Sequence, residues 1–84
     1  MQIIFKLYAG LAQYLPEDAS RHSVEIAIDN NETVNGLLTR YNVPLEQAHL
    51  VLRNGIYVQP EEREQSNFFN EGDTLAVWPP VAGG

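Results

Sequence analysis

The residues best suited to chemistry in this chain are its last six, Pro79-Pro80-Val81-Ala82-Gly83-Gly84, which follow an apolar run ending at Trp78. A terminal carboxylate, with a reference pKa near 3.5, is ionised at neutral pH and can act as an oxygen nucleophile. The residues before it are suited to delivering it. Pro79 and Pro80 have no N–H to donate, so sheet pairing through their nitrogens stops there. Consecutive prolines favour an extended polyproline II course. At roughly 3.3 Å per residue the segment reaches at most about 20 Å. Gly83 and Gly84 carry no Cβ and fit a channel too narrow for other residues. With glycine at about 7% of residues, two in a row at the last two positions arise by chance in roughly one chain in 200. An end that simply frays into solvent calls for neither the apolar Val81 nor the two prolines. The pattern predicts a domain over residues 1–78 and an extended arm over 79–84 that carries the carboxylate of Gly84 into another protein's active site.

Elsewhere the chemistry is thin. His22 and His49 are the only imidazoles and sit in different segments, without the spacing of a metal site or of a base–nucleophile pair. Glu61, Glu62 and Glu64 surround Arg63 in a polar stretch that reads as a solvated, charged loop rather than an acid/base pair. The six glycines are scattered and form no phosphate-cradling loop. Cysteine is absent, which excludes disulfides, thiolate nucleophiles and thiolate zinc sites, and leaves the redox compartment undecided. The body is therefore expected to be no enzyme by itself, with no metal and no bound cofactor.

The elements that must hold the arm are legible in part. Gln2 to Tyr8 is rich in β-branched and aromatic residues and reads as a strand. Leu11, Tyr14 and Leu15 can form one helical turn before Pro16. SVEIAID alternates, with Val24, Ile26 and Ile28 on one face, and reads as a half-buried strand antiparallel to the first. In TVNGLLTRYN, Val34, Leu37, Leu38 and Tyr41 make one stripe of an amphipathic helix, with Thr33 as its N-cap and Asn42 as a left-handed stop. Asn54-Gly55 between two apolar runs predicts a type I′ hairpin turn. Phe68 and Phe69 anchor a polar stretch, Glu71-Gly72-Asp73 reads as a turn, and Thr74 to Trp78 is the last strand. The order is strand, strand, helix, hairpin, strand, an α+β architecture with a mixed sheet of about five strands and one main helix across one face.

Composition narrows the function classes. The 84 residues, 44% apolar and 19% charged, make one globular domain. A net charge of −6 argues against nucleic acid, whose phosphates would repel the chain, and favours a partner with a basic docking surface. No apolar run approaches the roughly 18 residues of a membrane span, and MQIIFKLYAG lacks a signal peptide's layout, so no membrane association is expected and the cytoplasm is the default location.

PPVAGG after a strand preceded by EGDTLAV resembles the ending of the small subunit of molybdopterin synthase, within the wider group of ubiquitin-like, MoaD/ThiS-like sulfur carrier proteins. The element order is similar to that group's β-grasp fold along nearly the whole chain. The resemblance implies that a ubiquitin-activating-type adenylyltransferase, using ATP, attaches AMP to the carboxylate of Gly84. Sulfur from a persulfide donor then replaces AMP to leave a thiocarboxylate. Gly83, Ala82, Val81, Pro80 and Pro79 thread the partner's active site. The partner is the large synthase subunit, in an assembly that can be a heterotetramer, and the sulfur passes to a pterin precursor of the molybdenum or tungsten cofactor. The resemblance also places Trp78 and Tyr57 at partner-docking positions. Many relatives carry an arginine where this chain has Ala12, so an ion pair made there is missing or replaced. Three other readings share the same ending: a carrier for another acceptor such as thiamine thiazole, tRNA or a metabolite; a ubiquitin-like protein modifier joined to lysines; and a binding module with an inert tail. The double proline and the length lean towards the pterin pathway.

Overall fold

A computed structural model of the chain describes residues 1–80, so the expectations for Val81, Ala82, Gly83 and Gly84 lie outside the described residues. Five strands form one mixed sheet: β1 (Gln2–Leu7), β2 (Ser23–Ala27), β3 (Leu50–Arg53), β4 (Ile56–Tyr57) and β5 (Thr74–Trp78). Their order across the sheet is β2-β1-β5-β3-β4. β1 pairs antiparallel with β2 and parallel with β5, and β3 pairs antiparallel with both β5 and β4. One helix, α1 (Val34–Arg40), crosses one face, and three short 3₁₀ turns occupy Ala9–Tyr14, Leu45–Gln47 and Pro60–Glu64. This is the β-grasp arrangement expected from the sequence.

The strand alternation sorts residues onto the two faces. Ile3, Phe5 and Leu7 of β1, Val51 of β3, and Leu75 and Val77 of β5 are wholly buried, together with Val34, Leu37 and Leu38 of α1. These residues form one continuous core with Ile26, Ile28, Phe68 and Phe69. The stripe read from the sequence therefore faces the sheet, and Tyr41 completes it, its ring centroid 5.3 Å from that of Phe5. A helix of seven residues is too short to persist in water without such packing.

Local signals set the element ends. The Thr33 side chain accepts a hydrogen bond from the Gly36 backbone N–H at 2.8 Å, the N-cap foreseen. Asn42 closes the helix with φ of 65°. Asn54 and Gly55 have φ of 52° and 84°, both positive, as a type I′ turn requires. Asp73 ties this hairpin to the start of β5. Its Oδ1 accepts from Asn54 Nδ2 and its Oδ2 from the Asn70 N–H, both at 2.8 Å, while Asn54 Oδ1 accepts from the Thr74 N–H at 2.8 Å.

One expectation is corrected. The stretch around Arg63 is not wholly a solvated loop: it forms the Pro60–Glu64 turn, and Arg63 is 8% exposed. Its guanidinium donates to the carbonyls of Val58 (3.1 and 3.2 Å) and Ala48 (3.0 Å) and to the Tyr57 hydroxyl (3.3 Å). Glu61 and Glu64 remain exposed. The charge pattern EEREQ marks polarity but not which member has carbonyls to satisfy, and only the fold brings Ala48 and Val58 together. No helix among the described residues is long and apolar enough to cross a membrane.

Candidate functional site

The candidate site is the rim at which Pro79 and Pro80 leave the sheet. β5 is the third of five strands, so Trp78 leaves from the middle of the sheet rather than from an edge. On one side lies the end of β1, where the Tyr8 N–H donates to the Val77 carbonyl at 3.1 Å. On the other lies the start of β3, where the His49 N–H donates to the Trp78 carbonyl at 3.0 Å. The last two residues before the prolines are thus held by main-chain bonds, Val77 from the β1 side and Trp78 from the β3 side. Pro79 is half-buried and Pro80 exposed, so the chain emerges into solvent within two residues of the sheet.

The register places Trp78 on the open face, away from α1. It stands opposite Leu50 on β3, and beside Tyr8, which follows the last paired residues Leu7 and Val77 of the parallel pair. The Tyr8 and Trp78 rings stack with centroids 4.4 Å apart and planes only 4° from parallel. His22 covers Tyr8 from the other side, at 5.0 Å and 25°. Trp78 is therefore neither a core tryptophan nor a free-standing anchor: it is half-buried, with its ring stacked on that of Tyr8.

Further along the same face, Leu52 lies opposite both Ala76 and Tyr57. Tyr57 is 43% exposed, and its hydroxyl is held by Arg63. Leu50, also exposed, lies between the two predicted docking residues, so Trp78, Leu50, Leu52 and Tyr57 make a continuous apolar strip beside the end of β5. The structure thus brings Trp78 and Tyr57 onto one surface. Sequence reasoning missed Leu50, Tyr8 and His22. Leu50 could have been found by following the alternation of β3 outward from Val51; Tyr8 and His22 could not, because they reach Trp78 only through the parallel pairing of β1 with β5. Ala12 sits half-buried in the Ala9–Tyr14 turn. Lys6, opposite Ala76 and Ser23, is a basic residue on the open face, and among the described residues it makes no ion pair.

A family model described as the ThiS family matches residues 7–84, nearly the whole chain. The chain belongs to the ThiS family. A search of curated proteins gives no match. Among solved structures, this ThiS-family chain is similar to the crystal structure of SAMP1 from Haloferax volcanii, at 26% identity, with all of both chains covered and a TM-score of 0.65. A crystal structure of the H. volcanii small archaeal modifier protein 1 matches at 26% identity over 95% of this chain and 98% of that one, with a TM-score of 0.66. The solution structure of the H. volcanii HVO 2177 protein shares the fold at 23% identity, covering all of this chain and 87% of that one, with a TM-score of 0.67. The fold is thus the ubiquitin-like β-grasp of sulfur carriers and modifiers, proteins that work with activating enzymes of the ubiquitin-activating type.

Proposed function

We propose that this chain is a sulfur carrier whose Gly84 carboxylate is adenylated and converted to a thiocarboxylate. The observation that carries the reading is the ThiS-family match running through residue 84; it is supported by the main-chain clamp that sends Pro79 and Pro80 out from the centre of the sheet. A carboxylate is a poor acyl donor until its oxygen joins a good leaving group. Attack of the carboxylate on the α-phosphorus of ATP forms an acyl adenylate and releases pyrophosphate. The terminal sulfur of a persulfide then attacks the carbonyl carbon, AMP departs, and a thiol reduces the resulting acyl disulfide to free the thiocarboxylate. The transition-state groups for these steps belong to the partner, and the carrier contributes a docking face and reach. Within this reading the acceptor is the pterin precursor of the molybdenum or tungsten cofactor, with the large subunit of molybdopterin synthase as the second partner. Trp78 and Tyr57 dock on the partners through the open-face strip.

Intact mass spectrometry after incubation with ATP, the adenylyltransferase and a persulfide donor tests the chemistry. A gain of about 16 Da marks one oxygen replaced by sulfur in the covalent product. Deleting Gly84 should abolish the gain. An unchanged mass for the full chain rules the carrier reading out.

A second reading, a protein modifier, is favoured by the full-length likeness to small archaeal modifier protein 1. It uses the same acyl adenylate but passes the carbonyl carbon to a lysine amine. Adducts of this chain with other proteins, joined through Gly84, distinguish it from the sulfur carrier.

A further inference from the structure

We propose that Tyr8 and His22 are positioning residues: with Trp78 they form a three-ring stack that sets the bearing at which the arm leaves the sheet. The proposal rests on the carrier reading and deepens it, since it says how the body of the protein aims a terminus that reacts elsewhere.

The stack lies outside the hydrophobic core. Tyr8, His22 and Trp78 are all half-buried on the open face, and none belongs to the continuous cluster that joins α1 to the sheet. The core is complete without them. Their geometry is nonetheless tightly defined, with Tyr8 and Trp78 parallel to within 4° at 4.4 Å. Offset stacking of this kind adds to area burial and holds a ring in one orientation. His22 is held to the stack by its face and by its backbone, whose carbonyl accepts from the Leu7 N–H at 2.9 Å. Its Nδ1 is buried with no hydrogen-bond partner among the described residues. A buried imidazole nitrogen left unpaired is unusual, and it leaves the flat side of the ring, laid on Tyr8, as the side chain's contribution.

What the stack fixes is transmitted along the chain. Trp78 precedes a proline, which confines its own backbone to the extended region. Pro79 and Pro80 each have φ locked near −65°. With the Val77 carbonyl held by Tyr8, the Trp78 carbonyl by His49 and the Trp78 ring by Tyr8, few torsions remain free up to Pro80. Small errors at the base matter because of leverage. A rotation of about 10° at Trp78 displaces the end of Pro80, about 6.6 Å on at roughly 3.3 Å per residue, by about 1.1 Å, and a misplacement of about 1 Å at a reacting centre can cost on the order of 100-fold in rate.

The variants Tyr8→Ala, Tyr8→Phe, His22→Ala and His22→Phe separate the outcomes. Trp78 is the only tryptophan, so its quenching by acrylamide reports the stack directly in the isolated protein. ATP–pyrophosphate exchange with the cognate adenylyltransferase then gives kcat and KM. Tyr8→Ala should raise the quenching constant about twofold or more and lower kcat about tenfold, with KM little changed, because the body still docks but the carboxylate arrives misdirected. His22→Ala should do the same to a smaller degree. The two phenylalanine variants keep a flat ring and should restore both readouts. If only KM rises, Tyr8 and His22 serve docking alone and the inference is overturned. Unaltered kcat and KM in Tyr8→Ala, or unaltered quenching, overturns it as well. An unmodified chain that supports no exchange sinks the carrier reading instead, while the quenching comparison still decides whether Tyr8 and His22 hold Trp78.

Discussion

Replacing Arg63 by methionine should cost about 3 kcal/mol of folding stability, because what Arg63 does in this fold is satisfy acceptors. Its guanidinium supplies the hydrogen-bond donors recorded for the Val58 and Ala48 carbonyls, in residues 2% and 5% exposed. A buried polar group stripped of its partner costs about 1–3 kcal/mol, so two such carbonyls put the loss between roughly 2 and 6 kcal/mol. Two effects pull the figure down. Methionine keeps most of the aliphatic stem's packing, and removing a buried charge with no carboxylate partner among the described residues recovers desolvation energy. A value of about 3 kcal/mol is therefore expected, a large share of the roughly 4–12 kcal/mol available to a domain of this size. In a thermal melt it corresponds to a fall in Tm of about 12–24 °C. Urea unfolding followed by Trp78 fluorescence gives the number. Arg63→Lys should recover less than half, since a single ammonium cannot reproduce the planar fork that spans Val58, Ala48 and the Tyr57 hydroxyl. If Arg63→Met unfolds within about 0.5 kcal/mol of the unaltered chain, inside the range of ordinary surface changes, the reasoning fails: water would be reaching both carbonyls.

Two further substitutions test the local backbone. Gly36→Ala should leave stability within about 0.5 kcal/mol of its starting value, because a gain of up to about 1 kcal/mol in helix propensity meets a cap loss of similar size. The new Cβ would lie 2.9 Å from Thr33 Oγ1 and 3.2 Å from Glu32 Oε2, disturbing the N-cap and the Glu32–Arg40 ion pair together; a gain near 1 kcal/mol in urea unfolding would show the cap survives. Ala9→Gly should stabilise the domain by up to about 1 kcal/mol, since Ala9 holds φ of 52° just after β1, where a Cβ is unfavourable by about 1–2 kcal/mol. The larger backbone entropy of glycine in the unfolded chain offsets part of that gain, and a lower urea midpoint would contradict the assignment.

What could be read from the sequence was whatever depends on near neighbours. The Asn54-Gly55 turn, the Thr33 cap, the Asn42 stop and the Val34-Leu37-Leu38-Tyr41 stripe follow from backbone sterics and periodicity within about seven residues, and each lies where the pattern puts it. The composition of 79–84 likewise proposes an arm without reference to the rest of the fold. The tertiary structure decided the long-range matters. β1 and β5 lie some 70 residues apart, and nothing local to either states that they run parallel or that Leu7 meets Val77. That register alone sets Tyr8 against Trp78, with His22 stacked on Tyr8 in turn. Arg63 is the same lesson in charge: among three glutamates it reads as surface, yet it is buried because Ala48 and Val58 converge on it with carbonyls to satisfy. Side-chain type and spacing fix which local conformations are cheap. The partner of a buried polar or aromatic group is chosen only when distant segments share one core, since a contact across the fold leaves no periodic trace along the chain.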